Sequence, residues 1–262
     1  SIGTATGVQI KGLSGTDTAT FAGQTVTATD TIAMVTWGGD PDLDGATPAA
    51  RGALVLDTTG ALRHRGGQLD AGRLTIAAQS LHNRDGSNVQ GGTQAQAIRV
   101  AGELTNERGR IASNGSQLHL EAANIVNRDG RIEHAGNGGL TVTGGTLDNE
   151  RGLIVGNGGT QLTASTLNNR AGTVSSGGAL TVAGDALDNV GGLLEGNGDV
   201  RVTGTTLDNR GGRLVQRGIG RFALTTTGAL INTDGGLIGA EGDASVIAAA
   251  IYNTAGTIFA QA

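Results

Sequence analysis

Three sets of residues have the types and spacing that chemistry would need. Asp148, Asp188 and Asp208 recur at 40- and 20-residue intervals, and carboxylates brought together in a groove could cleave a glycosidic bond. Arginines recur as Arg65, Arg84, Arg128, Arg170 and Arg210, a set that could line up to meet an acidic or sulfated polymer. The run Asp40-Pro41-Asp42-Leu43-Asp44-Gly45 has the alternating acids and glycine of a calcium loop. Its twelfth position is Arg51 instead of a bidentate acid, so a solvated acidic turn is the better reading. The places equivalent to the three aspartates hold His82, Thr105, Asn168 and Ile231, which favours a solvated edge over one focused catalytic site. The four histidines, His64, His82, His119 and His134, show no metal-ligand spacing. No catalytic residue, metal or cofactor is assigned, and the chain is read as a non-enzyme.

The arginines and aspartates share a frame. The motif Leu-x-Asn-x-x-Gly-x-Leu/Ile/Val starts at Leu62, Leu81, Leu104, Ile125, Leu147, Leu167, Leu187, Leu207, Leu230 and Ile251, in steps of 19, 23, 21, 22, 20, 20, 20, 23 and 21 residues. Two places on stands His64, then Asn83, Asn106, Asn127, Asn149, Asn169, Asn189, Asn209, Asn232 and Asn253. Five places on stands a glycine, from Gly67 to Gly235 and Gly256. Asparagine tolerates unusual backbone angles and can both donate and accept, so this column predicts a ladder of amides at a corner. His64 is read as the same position filled by another hydrogen-bonding side chain. Glycine three residues later permits positive φ and close backbone approach.

Between corners, stretches such as Leu118-His119-Leu120, Leu140-Thr141-Val142 and Leu180-Thr181-Val182 alternate with the period of a strand. With 48 glycines, the chain has no room for a helical domain. Coils of about 20 residues cannot bury their apolar sides alone and must stack. The predicted fold is all-β, a right-handed parallel β-helix, and ten coils at about 4.8 Å each make a rod roughly 45 Å long. Such a slim core suits an aromatic content of 2%.

Residues 1–61 are read as irregular coils with an acidic loop excursion near 38–50, and residues 62–262 as the regular array. The first part carries a net charge of −4 out of the chain's −5, so neither part has the basic excess that nucleic acid demands. No cysteine is present, and no apolar run is long enough for a transmembrane segment. Opening at Ser1 in mid-pattern and ending at Ala262 soon after a repeat start, the chain is expected to be a piece of a longer one.

Segments such as Leu207-Asp208-Asn209-Arg210-Gly211-Gly212-Arg213-Leu214 and Leu104-Thr105-Asn106-Glu107-Arg108-Gly109-Arg110-Ile111 resemble the haemagglutinin repeats of filamentous haemagglutinin and the related contact-dependent inhibition exoproteins of Gram-negative bacteria. The resemblance covers roughly residues 52–262. It implies a large protein exported through an outer-membrane two-partner secretion transporter, secreted or held at the bacterial surface, whose shaft supports adhesion to host-cell glycans or receptor proteins. In the other branch, the shaft carries a toxin domain toward a neighbouring bacterium. The chain is expected to be interior shaft, monomeric and not inserted in a membrane. Its candidate binding residues are Trp37, beside the acidic loop, and Arg128, Arg170 and Arg210. Acids interleave at Asp85, Glu107, Asp129 and Glu150, so a surface neutralised against like-charge stacking is the favoured reading of the arginines.

Overall fold

The computed structural model describes residues 9–11, 15–21, 24–29, 33–37, 40–47 and 49–261. From Ala49 onward the chain winds as a right-handed parallel β-helix in which each strand pairs with the equivalent strand of the coils before and after it. Each regular coil has three faces. The first follows the corner glycine, as in Arg131–His134, Leu153–Gly156 and Thr173–Ser176. The second holds the alternating stretches, as in Leu180–Ala183 and Val200–Gly204, and the third carries the motif leucine, as in Ala186–Asp188 and Thr206–Asp208. In Leu118–Val126, Leu140–Asp148 and Thr160–Asn168 a single bent strand serves the second and third faces together.

The core is a set of columns. Ile111, Ile132, Ile154, Val174, Leu194 and Leu214 stack on the first face, and Leu81, Leu104, Ile125, Leu147, Leu167, Leu187, Leu207 and Leu230 on the third, all buried. Each large aliphatic side chain so buried contributes about 1.5–3 kcal/mol. The parallel ladders satisfy the backbone only when a neighbouring coil is present, so no coil is stable by itself.

The variable step has three sources. The turn between the first and second faces has two residues after Ala71, three after Gly156, Ser176, Gly196 and Ala240, four after Ser113, and five after Gln90, His134 and Gln216. The inward side chain that precedes the turn bonds to backbone in its own turn or in that of the adjacent coil: Gln216 Nε2 donates to the Gly218 carbonyl at 2.7 Å, Ser113 Oγ accepts from Gly115 N at 3.1 Å, and His134 Nε2 lies 2.9 Å from the carbonyl of Gly115 in the preceding coil's turn. Glycine suffices where the turn is short. The bend between the second and third faces gains a residue at the register shift between Val100 and Glu103 and again between Thr226 and Leu230, and the corner after Asn232 adds another.

The early residues depart from the sequence reading. Gly15–Phe21 and Gln24–Thr29 pair antiparallel, Phe21 opposite Gln24, because so short a link can reverse a chain but cannot make a parallel crossover. Ala33–Trp37 does join the parallel stack, on Ala49–Thr58. The segment read as an excursion is instead a corner: Asp42 bridges Arg63, Leu43 N donates to the Arg63 carbonyl, Gly45 N to the Arg65 carbonyl and Gln68 N to the Ala46 carbonyl, each at 2.8 Å. Buried Leu43 therefore lies beneath His64, and an apolar side chain starts the column that asparagine continues.

Candidate functional site

The asparagine corner is the most regular feature of the described chain. Asn83 Nδ2 donates to Asn106 Oδ1 at 2.7 Å, and the same bond at the same length links Asn106 to Asn127, then Asn149, Asn169, Asn189, Asn209, Asn232 and Asn253. The second amide hydrogen faces two carbonyls; for Asn149 these are Gly152 and Thr173, each 3.3 Å away. From Asn83 to Asn232 every rung is buried. Aligned amides polarise one another, so the bonds reinforce along the rod. At the lower end, His64 Nδ1 lies 3.1 Å from Asn83 Oδ1, while Nε2 is buried without a hydrogen-bond partner. Burial depresses the imidazole's pKa below the ordinary 6.5, more than the Asn83 bond raises it.

Two roles assigned to one glycine are divided between two residues. Positive φ falls two places after the asparagine, on Asp85, Arg108, Asp129, Arg151, Ala171 and Ala255 or on Gly191 and Gly211. Neither the asparagines nor the glycines three places on adopt it in those coils. Those glycines serve close approach alone: a β-carbon on Gly172 would lie 2.2 Å from the Asn149 carbonyl oxygen and 2.7 Å from Asn169 Oδ1. In the corner after Asn232 the equivalent residue is Gly236, whose β-carbon would lie 2.5 Å from the Asn209 oxygen, and not Gly235, which has a φ of +83°. One added residue there takes up the offset.

The edge outside the ladder is a zipper of ion pairs. Arg128 Nε lies 2.5 Å from Asp148, Arg170 Nε 2.6 Å from Asp188, and Arg210 Nε 3.0 Å from both oxygens of Asp208. Two places past the asparagine the sign alternates over four successive coils, Asp85, Arg108, Asp129 and Arg151. Arg108 grips Asp85 with bonds of 2.8 and 2.9 Å, and Arg151 grips Asp129 with 2.9 and 3.1 Å. Those arginine hydrogen bonds hold both aspartates below the usual carboxylate range. Burial would raise Asp208, but its bonds with Arg210 outweigh this and lower it. A glycosidase needs one carboxyl kept protonated; Asp148, Asp188 and Asp208 are each tied to arginine, and Asn168 separates the first two. Arg128, Arg170 and Arg210 thus come together on one edge, each with its charge met by an acid.

The remaining candidates are scattered. Trp37 closes the strand Ala33–Trp37, opposite Thr58; its side chain lies outside the described ones. Asp40 Oδ1 accepts from Ala61 N at 2.8 Å, Asp42 Oδ1 from Asp44 N at 3.0 Å, and Asp44 pairs with Arg65, so the three acids of that turn face different partners. No cluster of three or more His, Cys, Asp or Glu able to hold a metal occurs among the described residues. Sequence reasoning passed over Gln90, Ser113 and Gln216 and weighed His134 only as a metal ligand; the unequal repeat steps were the signal that could have found them.

The sequence model of the haemagglutinin repeat matches residues 4–108, 89–150, 134–184, 155–234 and 220–259. No curated protein and no solved structure matches the chain.

Proposed function

Because the chain belongs to the haemagglutinin repeat family, we propose that it is an interior shaft segment of a large secreted bacterial adhesin of the filamentous haemagglutinin kind. It acts by holding distance and direction, and supports attachment to host-cell glycans or receptors without catalysis. Export through an outer-membrane two-partner secretion transporter and a place outside the cell or on its surface belong to the same reading. The observation that carries it is the amide ladder, eight bonds of equal length running unbroken from Asn83 to Asn253. An edge of self-neutralised ion pairs along that ladder fits a spacer better than a docking face, since exposed pairs of this kind are weak and screened.

The test is an in-phase deletion. Residues 147–206 make three 20-residue coils, so removing them joins Thr146 to Leu207 without changing register. For a spacer, the exoprotein should still fold, reach the surface and attach, with only its reach reduced. Abolished attachment in a folded, exported deletion protein would mean that these coils contain the receptor site themselves. A glycan-binding assay on the isolated chain gives the complementary arm: binding that disappears in the Arg128→Gln, Arg170→Gln, Arg210→Gln triple variant would make the arginine edge adhesive.

A further inference from the structure

One coil carries amides at two inward positions that the coils on either side fill with aliphatic residues. Where the first-face column carries Leu69 below and Ile111 above, it places Asn88, and where the second face carries Leu118 above, it places Gln96. Gln90 occupies the inward position between them, and all three amides are 1% exposed or less. Gln90 is satisfied: its Oε1 accepts from Leu74 N at 2.8 Å and its Nε2 faces the Gly92 and Gln94 carbonyls. Asn88 and Gln96 are not. None of their four side-chain amide atoms has a partner. A buried amide without a partner forfeits its hydration and also displaces an aliphatic residue that would have packed there. The turn of residues 91–95, which runs from Gln90 to Gln96, is largely exposed and made of two glycines, Thr93, Gln94 and Ala95.

We propose that water enters the tube at this coil and binds between the Asn88 and Gln96 amides, making it the joint at which the shaft opens first. Water meets the need of both groups because it donates and accepts at once, and buried waters settle where two to four polar atoms converge. In a solenoid each coil touches only its neighbours, so one weak interface divides the rod into two cooperative stretches. Here they are the coils before Asn83 and those from Asn106 onward. The ladder bond from Asn83 to Asn106 crosses the joint at the corner, so opening there bends the rod without unstacking it.

Native-state hydrogen exchange on the full chain tests this. Amides of Leu74–Ala78 and Asn88–Val100 should exchange faster than those of the coils between Asn169 and Asn209. Asn88→Ile and Gln96→Leu, which install the residues that the same columns carry at Ile111 and Leu118, should raise protection in this coil about tenfold or more, as expected when a buried unsatisfied group is removed. Uniform protection along the rod, or variants less stable than the parent, would overturn the proposal, the latter by showing that the two amides need each other. Water relaxation dispersion gives an independent reading. A slowly exchanging internal water that vanishes in the double variant supports the site, and no such water in the parent refutes it.

Discussion

The two edges of the solenoid obey different rules. At the asparagine corner the residue type repeats for nine coils, and the one insertion, after Asn232, still returns a glycine to its place at Gly236. At the turn between the first and second faces the length runs from two to five residues and the inward residue from glycine to glutamine. The contrast follows from how many neighbours each position must satisfy. A ladder asparagine bonds to the coil on either side, so a change affects three coils, and the glycine beside it has backbone oxygen where a β-carbon would go. On the other edge Gln90, Ser113, His134 and Gln216 bond to backbone of their own turn or of one adjacent coil, so fewer coils are bound by each and length and residue can change together.

The largest expected effect tests that asymmetry with a single methyl group. Gly172→Ala forces a β-carbon against the Asn149 carbonyl, and chemical denaturation should show a loss of about 3 kcal/mol or more. Gly159→Ala, whose β-carbon would meet only the Ala179 carbonyl at 3.6 Å, should change stability by less than about 0.5 kcal/mol. Equal losses at both places would remove the distinction between the edges.

Next comes Asn169→Ala, which takes the acceptor from Asn149 Nδ2 and the donor from Asn189 Oδ1. Two weakened buried rungs predict a loss of about 2–4 kcal/mol in the same measurement. On the opposite edge, Gln216→Gly should lose about 1–2 kcal/mol because Gln216 Oε1 no longer accepts from Glu241 N and Gly242 N. Shortening the turn of residues 217–221 to three residues should recover most of that loss, since Gly196 tolerates a three-residue turn. Failure to recover would show that turn length and filler are not coupled.

A smaller effect is one of pH. The His64 pKa is depressed in the fold, so its contribution is fully present above the unfolded value of 6.5 and falls as pH drops through that value toward the folded one. The thermal midpoint should decline over that window in the parent, and the decline should flatten in His64→Asn. Smallest is the ion-pair edge. With Asp85 and Asp129 lowered by their arginines, that support is present above the ordinary 3.8 and fades as pH falls below it. Arg151→Gln should give a slight shift that disappears in high salt, visible in midpoints compared across ionic strength.

What could be read beforehand depended on which contacts a one-dimensional period encodes. Leu-x-Asn-x-x-Gly at near-constant spacing places like over like, so the strand faces and the asparagine column could be seen in the order of residues alone. The division of labour at the corner could not. Positive φ belongs to a residue whose type varies among Asp, Arg, Ala and Gly, and the strained backbone there is set by the neighbouring coils and not by local preference. Residues 40–46 looked like part of an excursion because Leu43 shares no chemical type with asparagine, although the backbone there keeps the corner's bonds.

Sequence by itself determined the repeat, the inward aliphatic columns and the absence of helix, because each follows from side-chain period and glycine content. Only the tertiary structure decided which acid neutralises which arginine and which inward residue fills which turn. It also decided where two amides are left without partners inside the tube. Those are relations between residues about 20 positions apart, and they exist only once parallel backbone pairing has set one coil in register on the next.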